Sequence, residues 1–94
     1  RMDIEVLHDA AEHRFRAVVD GVTCVLEYRM QGAVMTITHT GVPEAVGGRG
    51  IAAALMQAAF DTARRENLRV VPACSYAQVW IARHPAYADI VNPV

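Results

Sequence analysis

Long apolar runs are missing from this sequence. No stretch approaches the roughly 20 apolar residues that cross a bilayer, so no membrane association is expected. Excess charge of either sign is also missing, since nine Lys and Arg against ten Asp and Glu leave a formal net charge of −1. The basic residues are scattered, and only Arg64 and Arg65 are adjacent. That excludes the electrostatic footprint that nucleic acid requires. Cysteine is scarce: Cys24 and Cys74 lie far apart and form no Cys-x-x-Cys pair. His8, His13 and His84 do not show metal-ligand spacing, so no metal centre is expected. The first residues contain no basic segment followed by an apolar one, which argues against a signal peptide. Arg1 ahead of Met2 reads as a processing remnant. Free thiols without an export signal fit a reducing cytoplasm. Linkers, repeats and low-complexity segments are absent too.

What is present is a globular composition. Of 94 residues, 53% are hydrophobic and 20% charged, which matches a packed domain rather than a disordered chain. Two cores would leave each half too small, so residues 1–94 read as one domain. The first forty residues alternate with a period of two. Ile4 and Val6 form a first strand, and Phe15, Ala17 and Val19 a second. Asp20-Gly21 gives a hairpin turn, because glycine accepts positive φ. Cys24, Leu26, Tyr28 and Met30 then share one face, and Gln31-Gly32 marks another turn. In the run Ala33 to Thr40, Met35, Ile37 and His39 fall on one face and Thr36, Thr38 and Thr40 on the other. The short connections imply an antiparallel meander.

The period changes at Gly50. Ile51, Leu55, Ala58, Ala59 and Thr62 recur at helical spacing up to Glu66, in a stretch rich in alanine, which favours helix. Arg64 and Arg65 suit the helix C-terminus, and Asn67 is the stop. Leu68 to Val71 reads as a buried strand bounded by Pro72. Ser75 and Gln78 have capping-box spacing, which starts a second helix from Tyr76 to Arg83. Pro85 ends it, and Pro85 to Val91 reads as a turn or short helical piece. A strand, helix, strand order implies a parallel crossover. The expected fold is therefore α/β in the α+β sense: a mixed, mostly antiparallel sheet with a helix after the glycine loop and a shorter C-terminal helix.

The segment Val42 to Leu55 carries most of the functional information. It leaves a strand and opens a helix through Gly47-Gly48-Arg49-Gly50. The first amides of a helix have no internal acceptor and sit at the positive end of its dipole. Glycines let a phosphate approach, and Arg49 adds a cation. The combination suits phosphate or pyrophosphate, although a ligand-free glycine turn has the same composition. The Walker pattern fails, because no Gly-Lys-Ser/Thr follows. The dinucleotide fingerprint fails as well, because Val70-Val71-Pro72 stands where an acidic residue is needed.

Taken together, these residues resemble the GNAT acetyltransferase superfamily. Its acetyl-CoA loop, Gln/Arg-x-x-Gly-x-Gly/Ala between a strand and a long helix, maps to Gly47-Gly48-Arg49-Gly50-Ile51-Ala52. Four motifs in order are more specific: His39-Thr40-Gly41-Val42-Pro43, Gly48-Arg49-Gly50, Val70 to Tyr76, and Arg83-His84-Pro85-Ala86-Tyr87-Ala88-Asp89. They resemble a subfamily of very small single-domain GNAT-like proteins, the YjdJ type. The resemblance implies a reduced GNAT fold that binds acetyl-CoA or CoA. Amides from Gly47 to Ala52 would hold the pyrophosphate, with Val42 beside them. The strand before the loop and the strand Leu68 to Val71 would splay to admit pantetheine. His84 and Tyr87 would line the carrier. Two positions depart from the pattern: Gly47 replaces Gln or Arg, and Gly41 stands where relatives often carry Glu.

N-acetyl transfer needs a proton acceptor for the amine and stabilisation of the thioester oxyanion. His39 is the candidate acceptor, since imidazole titrates near neutrality. Cys74, ahead of a helix N-terminus, is a candidate nucleophile, because that position favours a thiolate. Tyr76 falls where some GNAT enzymes place a tyrosine that protonates the leaving thiolate. Each of the three also has an ordinary packing role open to it. The expected activity is acetyl transfer from acetyl-CoA to an unidentified amine, by a monomer or weak dimer. A non-catalytic CoA or acyl-CoA module is the alternative, and a small domain that pairs through its exposed first strand is a third.

Overall fold

The structure is a computed structural model that describes residues 3–94; the reading of Arg1 and Met2 falls outside them. Five strands form one sheet in sequence order: β1 (Leu7–Asp9), β2 (Arg14–Val19), β3 (Val22–Gln31), β4 (Val34–Gly41) and β5 (Arg69–Pro72). Neighbours are antiparallel, except that β4 and β5 run parallel. The crossover between those two is α1 (Ile51–Arg65), and α2 (Ser75–Ala82) follows β5. The sheet is thus mixed and mostly antiparallel, with a long helix after the glycine loop and a shorter one behind it, as the sequence predicts. Among the described residues, no helix is long and apolar enough to cross a membrane.

The meander closes through turns that require positive φ. Asp20 (φ 51°) and Gly21 (φ 75°) make a two-residue hairpin of the primed kind, which matches strand twist. The core lies between the inner face of the sheet and α1. Phe15, Ala17, Cys24, Leu26, Met35 and Ile37 face Ile51, Leu55, Met56, Ala59, Phe60 and Ala63, all of them buried.

Four expectations need correction. The first strand is Leu7–Asp9, not Ile4 to Val6. Ile4 and Val6 are half-buried against the core, so their alternation marks burial, while β2 pairs only from Leu7 onward. Next, β4 carries a bulge. Glu27 pairs with His39 but Tyr28 pairs with Ile37, leaving Thr38 as the extra residue. Beyond it the faces exchange, so His39 leaves the face of Met35 and Ile37, and Thr40 joins it opposite buried Leu26.

The third correction concerns β5, which starts at Arg69 rather than Leu68. The Leu68 amide is already bound to the carbonyl of Ala63 at 2.8 Å, and that of Asn67 to Arg64 at 3.3 Å. With Asn67 at φ 59°, this is the Schellman closure of α1. Finally, the cap of α2 is Cys74, not Ser75. The extended Cys74 sulfur accepts from the Ala77 amide at 3.4 Å. Gln78 donates instead to the carbonyl of Ala73 at 3.4 Å, so α2 runs Ser75–Ala82 rather than Tyr76 to Arg83.

The C-terminal segment is strapped across the end of α1 and β5. Pro85–Ile90 form a 3-10 turn, after which Val91 bridges Val70 and the Asn92 amide donates to the Val70 carbonyl at 2.8 Å. Arg64 donates to both Asp89 carboxylate oxygens at 2.9 and 3.0 Å. Arg69 donates to the carbonyls of Asp89 and Val91. The Arg64 guanidinium holds the Asp89 carboxyl below the usual carboxylate range. A depressed carboxyl contributes stability above its unfolded pKa and loses it as pH falls through the folded one. Hydrogen exchange at the Asn92 amide should therefore accelerate relative to Leu26 as pH drops below about 4, after correction for intrinsic rates. Equal behaviour of the two amides would show that the ion pair does not hold the strap.

Candidate functional site

The site is built where β4 and β5 part. They pair only from Val34–Arg69 to Ile37–Pro72. The amides of Ala73 and Cys74 then both donate to the Ile37 carbonyl, at 3.0 and 3.1 Å, and the chain turns into α2. On the other side β4 continues to Gly41, still paired with β3. The bulge sits at this fork, where Thr38 Oγ1 donates to the Glu27 carbonyl at 3.3 Å. The result is a wedge between the end of β4 and the start of α2.

Three residues beyond the fork, Thr40 Oγ1 lies 3.6 Å from Cys74 Sγ, which also accepts from the Ala77 amide. Tyr76 stands two residues on, half-buried. Burial pushes its hydroxyl pKa up, with the charge of Arg83 pulling the other way. The phenol thus stays protonated across the neutral range and can act as a proton donor.

Beyond β4, Val42 packs against the core, and the 3-10 turn Glu44–Val46 buries Val46. That anchor holds the glycine loop. The Gly47 amide donates to the Glu44 carbonyl, and the next backbone donor in the chain is Ala54, to Gly50. Between them, the amides from Gly48 to Ala53 have no backbone acceptor among the described residues. Gly48 (φ 76°) and Gly50 (φ 79°) both need the left-handed region, and a Cβ at either would meet open space. The cradle is therefore lined by unsatisfied donors at a helix start and is accessible, which is the donor set a pyrophosphate requires.

Arg49 does not stand free in this loop. Its Nη1 donates to Asp20 at 2.7 Å, tying the loop to the β2–β3 hairpin. An open depression of about 550 Å³ begins there, lined by Arg49, Gly50, Ala53, Gln57, Asp3 and Ile4.

The remaining candidates are distributed elsewhere. His39 pairs with Glu27 and is exposed. Its ring lies over Gly41, where an added Cβ would come within 2.9 Å of Nε2. The structure thus brings together Cys74 and Tyr76 at the wedge and Gly47 to Ala52 at the loop, but sets His39 on the other side of the strand. His84 and Tyr87 belong to a third place. His84 stacks on Trp80 at 3.8 Å, and the Tyr87 hydroxyl donates to Asp61 at 2.6 Å. Asp61 is ten residues into α1, about 15 Å along the axis from the loop. Thr40 and Asp20 were missed by sequence reasoning. Thr40 was hidden by the bulge, whereas Asp20 was visible only as a turn residue.

The fold is of the α+β class: a mixed sheet whose one parallel pair splays beside an amide-rich helix start. The family described as GCN5-related N-acetyl-transferase matches residues 14–90, and the chain belongs to that family. Protein NATD1 of Bos taurus is 36% identical over 95 residues, covering 96% of this chain and 84% of that protein. Protein NATD1 of Homo sapiens is 35% identical with the same coverage. The solution structure of a GCN5-like protein from Staphylococcus aureus matches with a TM-score of 0.75 at 27% identity, over 96% of this chain and 89% of that one.

Proposed function

We propose that residues 1–94 form one acetyl-CoA-binding domain that transfers the acetyl group to an amine. The observation that carries this reading is the junction of two features: a wedge between β4 and α2, and the run of unpartnered amides from Gly48 to Ala53. Acetyl-CoA is a long ligand with an anionic middle and a thioester tip. The amides of Gly48, Gly50, Ile51 and Ala52 suit its pyrophosphate. Gly47, whose amide is already bound to the Glu44 carbonyl, positions the loop without donating to the ligand, and Val42 adds an apolar wall. Arg49 exchanges its Asp20 partner for phosphate oxygen. The tip then comes to the neighbourhood of Thr40, Cys74 and Tyr76.

Transfer forms a carbon–nitrogen bond to the amine and breaks the carbon–sulfur bond of the thioester. His39 takes the proton that the amine loses, through solvent on its exposed face. Tyr76 gives a proton to the departing thiolate. Cys74 is the side chain able to receive the acetyl group on the protein: its thiolate attacks the thioester carbonyl and CoA leaves as the thiolate. His84 and Tyr87 hold the C-terminal segment over α1, away from the loop.

Cys74 should react with iodoacetamide, and acetyl-CoA should slow that reaction, while Cys24, fully buried, stays unlabelled in the folded protein. A rate equal to that of free glutathione and indifferent to acetyl-CoA would remove Cys74 from the site.

One observation favours a second reading, a CoA-binding module without turnover. The bulge sends His39 to the Glu27 face, away from Cys74. Thiol release from acetyl-CoA, followed colorimetrically over a panel of primary amines, separates the two. Amine-dependent release above the hydrolytic background supports transfer; ligand binding without release supports the module.

A further inference from the structure

A second cavity opens at the opposite end of the sheet. It measures about 260 Å³ and is lined by His8 and His13, Tyr28, Met30, Met35 and Glu66. On β4, Met35 and Gly41 are six positions apart, so this cavity lies about 20 Å from the strand end that leads into the glycine loop. It is independent of the acetyl-CoA reading.

We propose that this cavity binds a small organic ammonium ion, held by the rings of His8, His13 and Tyr28 and by the carboxylate of Glu66. The rings form one connected cluster. Tyr28 is 6% exposed and lies 5.4 Å from His13 and 5.9 Å from His8, centroid to centroid. Its hydroxyl is 2.7 Å from His8 Nε2. His8 is in turn stacked on buried Phe15 at 4.1 Å. Tyr28 and Met35 form a buried floor, and His8, His13 and Glu66 form a solvent-facing rim above it. Met30 and Met35 supply polarizable walls.

Charge selects a cation. Burial, and after it the charges of Glu66 and Asp9, push the Tyr28 hydroxyl pKa up. Glu66 is the one carboxylate among the lining residues, and no Lys or Arg lines the cavity. A metal ion is not the occupant, since among the described residues no three His, Cys, Asp or Glu side chains converge closely enough to hold one. The volume equals that of about nine waters, which limits the ligand to a small amine or alkylammonium. Aromatic faces with a flanking carboxylate recognise such ions by cation–π attraction and by direct charge.

The test uses tetramethylammonium chloride as probe, with tert-butanol as its neutral counterpart and sodium chloride as the ionic-strength control. The methyl signals of Met30 and Met35 and the ring signals of His8, His13 and Tyr28 are followed by NMR. Saturable shifts with tetramethylammonium alone, weakened about fivefold or more by Glu66→Gln, are expected. Glu66 is exposed, so the variant keeps the fold, and an unchanged spectrum elsewhere verifies this. Absence of saturation up to about 50 mM, equal shifts with tert-butanol or sodium chloride, or unchanged affinity in Glu66→Gln would each overturn the assignment.

Discussion

If the glycine loop binds acetyl-CoA as proposed, Gly50→Asp should abolish the stabilisation that this ligand gives while leaving the fold in place. The expected loss of affinity is about 100-fold or more. Gly50 is the N-cap of α1 at φ 79°, and a Cβ there meets nothing within 4 Å. The substitution therefore fits sterically and costs ~1 kcal/mol of backbone strain. Its effect on binding is larger, because it sets a carboxylate among the amides that would hold the pyrophosphate. A like charge at about 4 Å from an anion costs between 1 and 4 kcal/mol as the effective dielectric falls from water to the protein surface. Two phosphates double the exposure to that charge. Thermal denaturation with and without acetyl-CoA reads the result, since a ligand raises the midpoint only as far as it binds the folded state. The wild-type midpoint should rise and that of the variant should stay fixed. Gly50→Ala separates strain from charge and should retain most of the shift. An undiminished shift in Gly50→Asp would move the phosphate site away from this loop.

The second large effect is on stability. Phe60→Ala should cost ~3–5 kcal/mol, because a buried aromatic is replaced by a cavity that the surroundings fill only partly. Phe60 is fully buried on α1, 5.1 Å from the Trp80 ring and 5.5 Å from the Tyr87 ring. It packs α1 against both α2 and the C-terminal turn, beside the polar contacts that Asp61 and Arg64 make to Tyr87 and Asp89. A domain of this size has only about 5–15 kcal/mol in total, so the variant should show a much lower urea midpoint. A loss below about 1 kcal/mol would mean that α1 holds α2 and the strap without the Phe60 ring.

How much of this was legible in the sequence depends on the range of the physics involved. Period-two alternation placed β2, β3 and most of β4, because burial on one face of a sheet writes itself into every second residue. The helical repeat placed α1, and Asn67 marked its end because few residues other than glycine adopt positive φ readily. The bulge at Thr38 was illegible. An extra residue shifts the phase of the alternation, and His39 and Thr40 exchange faces without any change in composition. The cap of α2 was misread for a related reason: Ser75 has the better capping side chain, but the bonds from Ala73 and Cys74 to Ile37 fix where β5 ends. At the site, the glycine loop was visible because its conformation demands glycine. The Thr40–Cys74 contact and the Arg49–Asp20 pair join residues 34 and 29 positions apart, and no local pattern encodes them.

The central claim is that the glycine loop and the wedge beside it bind acetyl-CoA. Isothermal titration calorimetry of the unmodified protein with acetyl-CoA, and separately with CoA, tests it most directly. The account predicts one site per chain with a micromolar dissociation constant for at least one of the two. No heat of binding up to millimolar ligand, from a protein shown to be folded, would contradict it.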